Sequence, residues 1–298
     1  MRVAPFTLAL SLVLAAAAGA AAFAQTPAPV APAAQDVRLG ALRVTPVRDG
    51  ANPVPNDGSV FGKDVGPAAV AAFLRTKGQP TDTIPLNVGG LLVRGIPGRV
   101  VLIDTGNDPK KGGQLMASLA RAGVRPGDVT DILITHGHGD HIGGLVDASG
   151  RRAFPRATVR MSAPEWAYVR TQDASKEIAG AISARVRTFA PGAAVLPGIV
   201  AVPLRGHTPG HSGYRITSGR QSLLDIGDTA HSSVISLGHP EWTIGYDGNK
   251  MLGERTRITE LARIAGTGTL IFAPHFPYPG IGRVVRSRPG YAWQPALR

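Results

Sequence analysis

Residues 135 to 141 read Thr-His-Gly-His-Gly-Asp-His, which sets His136, His138, Asp140 and His141 within six positions. Neutral imidazole and carboxylate are the nitrogen and oxygen donors that zinc and similar divalent ions take. Gly137 and Gly139 let the backbone turn tightly enough for such donors to converge. Without a cation, four of these groups repel one another or stay separately solvated. The plain alternative is a solvated polar turn, but it would spend three of the chain's eight histidines.

Other histidines and one aspartate stand where apolar runs end, as ligands on loops held by a rigid scaffold should. His207 and His211 lie in Gly206-His207-Thr208-Pro209-Gly210-His211, Asp228 lies in Asp225-Ile226-Gly227-Asp228-Thr229, and His275 follows Leu270-Ile271-Phe272-Ala273. The expected product is one cluster of five histidines and two aspartates.

The order HxHxDH, GHTPGH, GDT and a late APH resembles the metallo-β-lactamase superfamily in its two-metal hydrolase form, from about Val37 to the C-terminus. The resemblance implies one ion on His136, His138 and His207, a second on Asp140, His141 and His275, and Asp228 bridging both. It also implies that Asp104, in Val101-Leu102-Ile103-Asp104-Thr105-Gly106, supports a metal histidine from behind, and that His211 bonds backbone or a supporting group. His231 lines the pocket, donates to substrate, or packs as a wall residue; His239 is expected on a surface loop. The stretch His275-Phe276-Pro277-Tyr278-Pro279-Gly280-Ile281-Gly282 is similar to the tail of methyl parathion hydrolases. Lactonases that open N-acyl homoserine lactones share the metal pattern, so the substrate does not follow from it.

A two-metal site of this composition has a predictable reactivity. It lowers the pKa of a bridging water from about 15.7 toward ~7 and polarises a carbonyl or phosphoryl oxygen. The expected nucleophile is a metal-bridging hydroxide, which needs no Ser or Cys, and the chain has no Cys at all. Asp228 is assigned the bridge because a carboxylate has two oxygens to share. Asp140 is assigned a ligand role with a second part in proton transfer to the leaving group. Two Zn2+ ions are the default, and Mn, Fe or Co suit the same donors.

The elements that must position these residues follow from apolar patterning. Strands are expected near 41–47, 83–94, 100–104, 131–135, 158–161, 200–204, 212–217, 222–226 and 269–273. Helices fit 68–75, 113–122, 163–169, 176–183 and 249–265, the last with Leu252, Ile258, Leu261 and Ile264 buried and Asp247 as cap. This α+β alternation fits two packed sheets with helices outside, the four-layer αββα sandwich that the resemblance implies. The loop 61–70, Trp166, the stretch 168–175 and Phe276 to Tyr278 are candidates to shape an apolar substrate pocket. Packing is the competing role for Trp166 and Tyr168, and the only one for Trp242.

Residues 1–24 read as a secretory signal peptide, with Arg2, a short apolar core and Ala22-Phe23-Ala24 at the cleavage position. Residues 25–36 read as a Pro/Ala-rich flexible or extended linker, and 37–298 as one hydrolase domain of about 260 residues, enough for a substantial core. The protein is therefore expected to be periplasmic or secreted, with no stable membrane span after cleavage. Lacking Cys, it must draw its stability from core and metal. Formal net charge is +12, of which Arg2 contributes one, leaving +11. The arginines are scattered without an aromatic-interleaved stripe, so a small-molecule substrate is expected and no nucleic acid. A homodimer is implied only by analogy.

The leading reading is a hydrolase of a lactone, carboxylic ester or organophosphate triester. A glyoxalase II-like thioesterase would add a C-terminal helical module, and little follows His275. A β-lactamase-like hydrolase with a Cys ligand conflicts with Asp228. A non-catalytic envelope metal-binding protein would show a closed coordination shell without exchangeable water.

Overall fold

Side chains that point alternately to the two faces of each strand assign each residue its layer in two sheets, and the central strands are apolar on both faces. In the computed structural model, which describes residues 30–296, the first sheet contains β1 (Ala33–Ala34), β2 (Val37–Leu39) and β3 (Leu42–Ala51). A separate pair, β4 (Val54–Pro55) and β5 (Thr83–Ile84), interrupts it in sequence. The sheet then continues with β6 (Asn87–Arg94), β7 (Val100–Ile103), β8 (Asp131–Leu133), β9 (Thr158–Ser162) and β10 (Val186–Phe189), in the order β1-β3-β6-β7-β8-β9-β10 with β2 also on β3. The second sheet runs in sequence order: β11 (Ala194–Leu196), β12 (Ile199–Pro203), β13 (Ser212–Ser218), β14 (Gln221–Asp225), β15 (Leu270–Phe272), β16 (Ile281–Arg286) and β17 (Tyr291–Pro295).

Val101 and Ile103 on β7 and Leu133 on β8 meet Tyr214, Leu223 and Phe272 of the second sheet in the central layer. Their neighbours Leu102, Ile132 and Ile134 point the opposite way, against α2 (Leu115–Arg121), α4 (Ala163–Val169) and α5 (Lys176–Ile182). On the other outer face Leu224 and Ile271 pack with Leu237, Leu261 and Ile264, from α6 (Ile235–Gly238) and α7 (Lys250–Thr267). Period-two alternation on both sheets thus produces the αββα sandwich, each buried Leu or Ile contributing about 1.5–3 kcal/mol of transfer free energy. The short α3 (Gly139–Ile142) belongs to the metal loop, and α1 (Pro67–Thr76) covers a satellite cluster.

Several expectations are corrected. The signal peptide lies outside the described residues, and the end of the linker, read as flexible or extended, is extended and joins the sheet before residue 36. Ala33 and Ala34 pair with Arg48 and Val47, and the Val30 and Ala31 carbonyls accept from Gln114 and Arg48, so the alanines extend the sheet edge. The strand expected over 83–94 is split between β5 and β6 at Pro85, which has no N–H to donate. Asn249, not Asp247, caps α7 by accepting from the Leu252 N–H. On α7 the buried stripe is Gly253, Arg257, Leu261 and Ile264, while Ile258 is 39% exposed. The hairpin β16–β17 escaped the strand pattern because Arg283 and Arg286 break the apolar run, yet it forms one edge of the second sheet, with Gly282 opposite Pro295 through Arg286 opposite Tyr291. Among the described residues no helix is long and apolar enough to cross a membrane.

Candidate metal centre

All seven expected donors converge where strands of both sheets end. β8 leads into His136, His138, Asp140 and His141; the β12–β13 loop carries His207; Asp228 follows β14 and His275 follows β15. Because β7 and β8 run parallel, as do β14 and β15, their carboxyl ends open on one side and collect these loops.

Two donor groups face one another across Asp228. His136 Nε2, His138 Nδ1 and His207 Nε2 lie 2.9–3.2 Å apart. Tetrahedral zinc with bonds of about 2.0–2.1 Å would hold its nitrogens ~3.3 Å apart, so this triangle has the size of one coordination face. Asp228 Oδ2 stands 3.5 Å from His136 Nε2 and 3.3 Å from His207 Nε2, at the fourth corner. Its other oxygen, Oδ1, stands 3.2 Å from both His141 Nε2 and His275 Nε2, and His275 Nε2 is equally 3.2 Å from Oδ2. Asp140 completes that second group, with oxygens 3.7 Å from His141 Nε2 and from His275 Nε2.

The rings are aimed from behind. His141 Nδ1 bonds Asp104 Oδ2 at 2.8 Å, His207 Nδ1 bonds Asp247 Oδ1 at 3.2 Å, and His275 Nδ1 donates to the Asn87 carbonyl at 2.7 Å. These partners fix each tautomer and leave the opposite nitrogen's lone pair for the centre. Asp104 adopts φ 58, an uncommon conformation for a residue with a side chain. In that turn its carboxylate also accepts from the Thr135 N–H and hydroxyl, tying β7 to the start of the metal loop.

The donor set fits a cation, because its buried polar atoms are otherwise orphaned. His141 Nε2 and Asp228 Oδ1 are buried without a hydrogen-bond partner. Burial, followed by the neighbouring imidazoles, holds His136 well below its usual range and His138 down at about 3. Those rings are neutral and able to ligate. Burial would also lower His207, but without a cation Asp228 and Asp247 outweigh it and hold the ring up at about 9, so a cation must displace a proton to take Nε2. The chain thus carries a site for divalent metal.

His211 is not among the donors: its Nδ1 donates to the Leu204 carbonyl at 2.7 Å and its Nε2 accepts the Asp228 N–H at 3.0 Å. His231 is buried with Nε2 3.1 Å from Asp228 Oδ2 and its ring stacked on His275. His239 stacks on Trp242 and bonds Glu241, away from the donors.

The expected pocket residues fare less well. Phe61 and Val70 are packed in the satellite cluster, and Phe276 is fully buried against Trp293. Trp166 packs on the helix-side core, while Tyr278 is half-buried with its hydroxyl on the Pro46 carbonyl. A cavity of about 470 Å3 lies among Asp36, Arg38, Arg43 and Arg94 and shares no residue with the centre.

Sequence reasoning missed three buried charged groups that hold the site. Asp247 supports His207, and Arg257 bonds Asp247 Oδ2 at 3.0 Å. Glu165 accepts from the Gly137 and Gly210 N–H groups and from the Thr208 hydroxyl. No local signal marks them: Asp247 lies 40 positions from His207 and Glu165 28 and 45 positions from Gly137 and Gly210, while Arg257 meets Asp247 only because α7 folds back on the loop before it.

The family described as the metallo-beta-lactamase superfamily matches residues 89–277, more than half of the chain. A probable metallo-hydrolase of Mycobacterium tuberculosis is 27% identical over 186 residues, 53% of this chain and 58% of its own length. The chain therefore spans little more than half of that curated relative. Among solved structures, AidC, a dizinc quorum-quenching lactonase in complex with a product, N-hexanoyl-L-homoserine, is 27% identical with a TM-score of 0.84, covering 90% of this chain and 98% of its own. The hydrolase AbOPH of the beta lactamase superfamily is 28% identical with a TM-score of 0.82, covering 91% and 99%.

Proposed function

The chain belongs to the metallo-beta-lactamase superfamily, and from that premise we propose that it is a two-metal hydrolase of small neutral esters whose preferred class is the N-acyl homoserine lactones. The observation that carries the two-metal reading is Asp228, whose carboxylate stands 3.2–3.5 Å from ring nitrogens of both donor groups. His136, His138 and His207 would hold one ion, Asp140, His141 and His275 the other, and Asp228 would join them. Zinc is the proposed metal; Mn, Fe and Co suit the same donors.

When bound, such a pair of cations supplies Lewis acidity, lowering the pKa of water from about 15.7 toward ~7 and polarising the oxygen of the scissile bond. The chain's own residues do the rest. Asp228 keeps the two positions at a fixed spacing, and Asp104 and Asp247 hold the His141 and His207 rings in the tautomer that ligates. Asp140, with a side chain 23% exposed, and the partly buried His138 mark the open side from which substrate enters, the other five donors being buried. Asp140 is therefore placed to pass a proton to the leaving oxygen.

The similarity to the dizinc lactonase over nearly the whole of both chains supports the lactone class. A second reading, an organophosphate triester, draws on the His275 to Gly282 tail and its likeness to methyl parathion hydrolases. The test is kcat/KM of the metal-reconstituted protein for an N-acyl homoserine lactone beside a methyl-parathion-like triester, with chelated enzyme as blank. A chelator-sensitive preference for the lactone supports the proposal, a preference for the triester replaces it, and activity on neither overturns both. The leader-like sequence of residues 1–24 supports a periplasmic or secreted location, which N-terminal sequencing of the mature protein tests.

A further inference from the structure

The first turn of α4 touches both loops that supply the three-histidine group. Glu165 is fully buried, yet it touches no histidine of the group within hydrogen-bond distance. Its Oε1 accepts the Gly137 N–H at 2.7 Å, at the residue between His136 and His138. Its Oε2 accepts the Thr208 hydroxyl at 2.7 Å and the Gly210 N–H at 2.9 Å, in the loop that carries His207. Ser162, the N-cap of α4, donates its hydroxyl to the Gly210 carbonyl at 2.7 Å while accepting from the Glu165 N–H.

This approach also accounts for the glycines. A Cβ on Gly137 would meet Val169 at 2.3 Å, and one on Gly210 would meet the Glu165 nitrogen at 2.2 Å and Ser162 Oγ at 2.4 Å. Both loops therefore fold without side chains where α4 closes on them. The second donor group has no such shared clip: His141 rests on Asp104 and His275 on the Asn87 carbonyl.

We propose that Glu165 is a positioning residue that sets the spacing of His136, His138 and His207, and so the affinity of that one metal position, without touching the ion or substrate. One carboxylate spanning two loops fixes their separation, and a shift of either loop opens the nitrogen triangle of 2.9–3.2 Å. Loss of such supporting hydrogen bonds costs about 10–100-fold in metal affinity elsewhere. This inference rests on the metal reading above but not on any substrate.

The test is Zn2+ affinity by competition with a chromophoric chelator, beside the visible spectrum of the Co2+ form and the Tm of the metal-free protein. Glu165→Gln keeps the volume but sets an amide N–H against the Gly210 N–H. In a His275→Ala background, which retains the three-histidine group, E165Q is expected to weaken the remaining ion about 10–100-fold. In a His138→Ala background it is expected to change the other ion less than about twofold, with a Co2+ spectrum altered only in the first case. Equal losses in both backgrounds, or none in either, overturn the proposal. If E165Q does not fold, Thr208→Val removes one of the three bonds, and an unchanged affinity at the three-histidine position then overturns it. Absence of Zn2+ binding by the unsubstituted protein would instead strike at the metal reading itself.

Discussion

His211 Nε2 accepts the backbone N–H of Asp228 at 3.0 Å, so a histidine outside both donor groups holds the carboxylate that faces them. Its Nδ1 is committed to the Leu204 carbonyl, which fixes the tautomer and leaves Nε2 as an acceptor. Burial, then the charge of His207, keeps the ring neutral by holding it down at about 3. His211→Ala is expected to orphan the Asp228 N–H, costing about 1–3 kcal/mol of stability and roughly 10–100-fold in metal affinity. Urea unfolding and metal competition would check the two effects separately, and a variant with full stability and full metal content would show that the bond is idle.

Asp228→Ala removes both oxygens at once. The expected result is loss of chelator-sensitive hydrolysis with a folded protein of unchanged far-UV circular dichroism, because the carboxylate sits at a loop end and not in the sheet. Full activity with only one equivalent of metal would refute the two-metal mechanism.

Arg257 is the largest of the fully buried side chains, and its guanidinium is shared between Asp247 Oδ2, the Pro240 carbonyl and the Trp242 carbonyl. Arg257→Met would leave Asp247 buried without its cation, a change that costs about 3–5 kcal/mol when one partner of a buried pair is removed. Denaturant titration should show a lower midpoint. A midpoint within error of the unsubstituted protein would mean that Asp247 takes its compensation from His207 alone.

Asp131 at the start of β8 accepts from Arg99 at 2.7 Å and from Arg160 at 2.9 Å. Burial opposes its ionisation, but the hydrogen bonds of Arg99, Arg160 and Thr130 outweigh it and hold the carboxyl below its ordinary value. A carboxyl lowered on folding contributes stability that is present above the unfolded value, near pH 4, and is lost as pH falls through the folded one. Asp131→Asn should therefore lose about 1–3 kcal/mol at pH 7, with the gap to the unsubstituted protein narrowing below about pH 4. Thermal melts at pH 7 and pH 3 check this; a constant gap would contradict the ion-pair account.

Regular elements were legible where patterning was strong. Residues 163–169 form the helix read from them, and the central strands over 100–103 and 131–133 follow their continuous apolar runs within a residue or two. Edges were less legible: Val186–Phe189 and Ala194–Leu196 are half-exposed, so their side chains carry little of the periodic signal that burial imposes. The pocket residues were misjudged for a related reason. Phe61 and Phe276 sit in loops, where an aromatic packs inward or lines a cavity according to its neighbours, and those neighbours come from other parts of the chain.

By itself the sequence determined the donor types, their order and the strands that end at them, because ligand chemistry and alternation are local properties written in consecutive residues. Only the tertiary structure decided which nitrogen of each ring faces the centre, that the Asp228 carboxylate stands between the two groups, and that Asp104, Asp247 and Glu165 stand behind the donors. Those relations join residues 28 to 45 positions apart in the cases of Asp104 with His141, Asp247 with His207, and Glu165 with Gly137 and Gly210. Packing two sheets face to face brings such pairs within hydrogen-bond range, and no spacing along the chain encodes the distance across a layer.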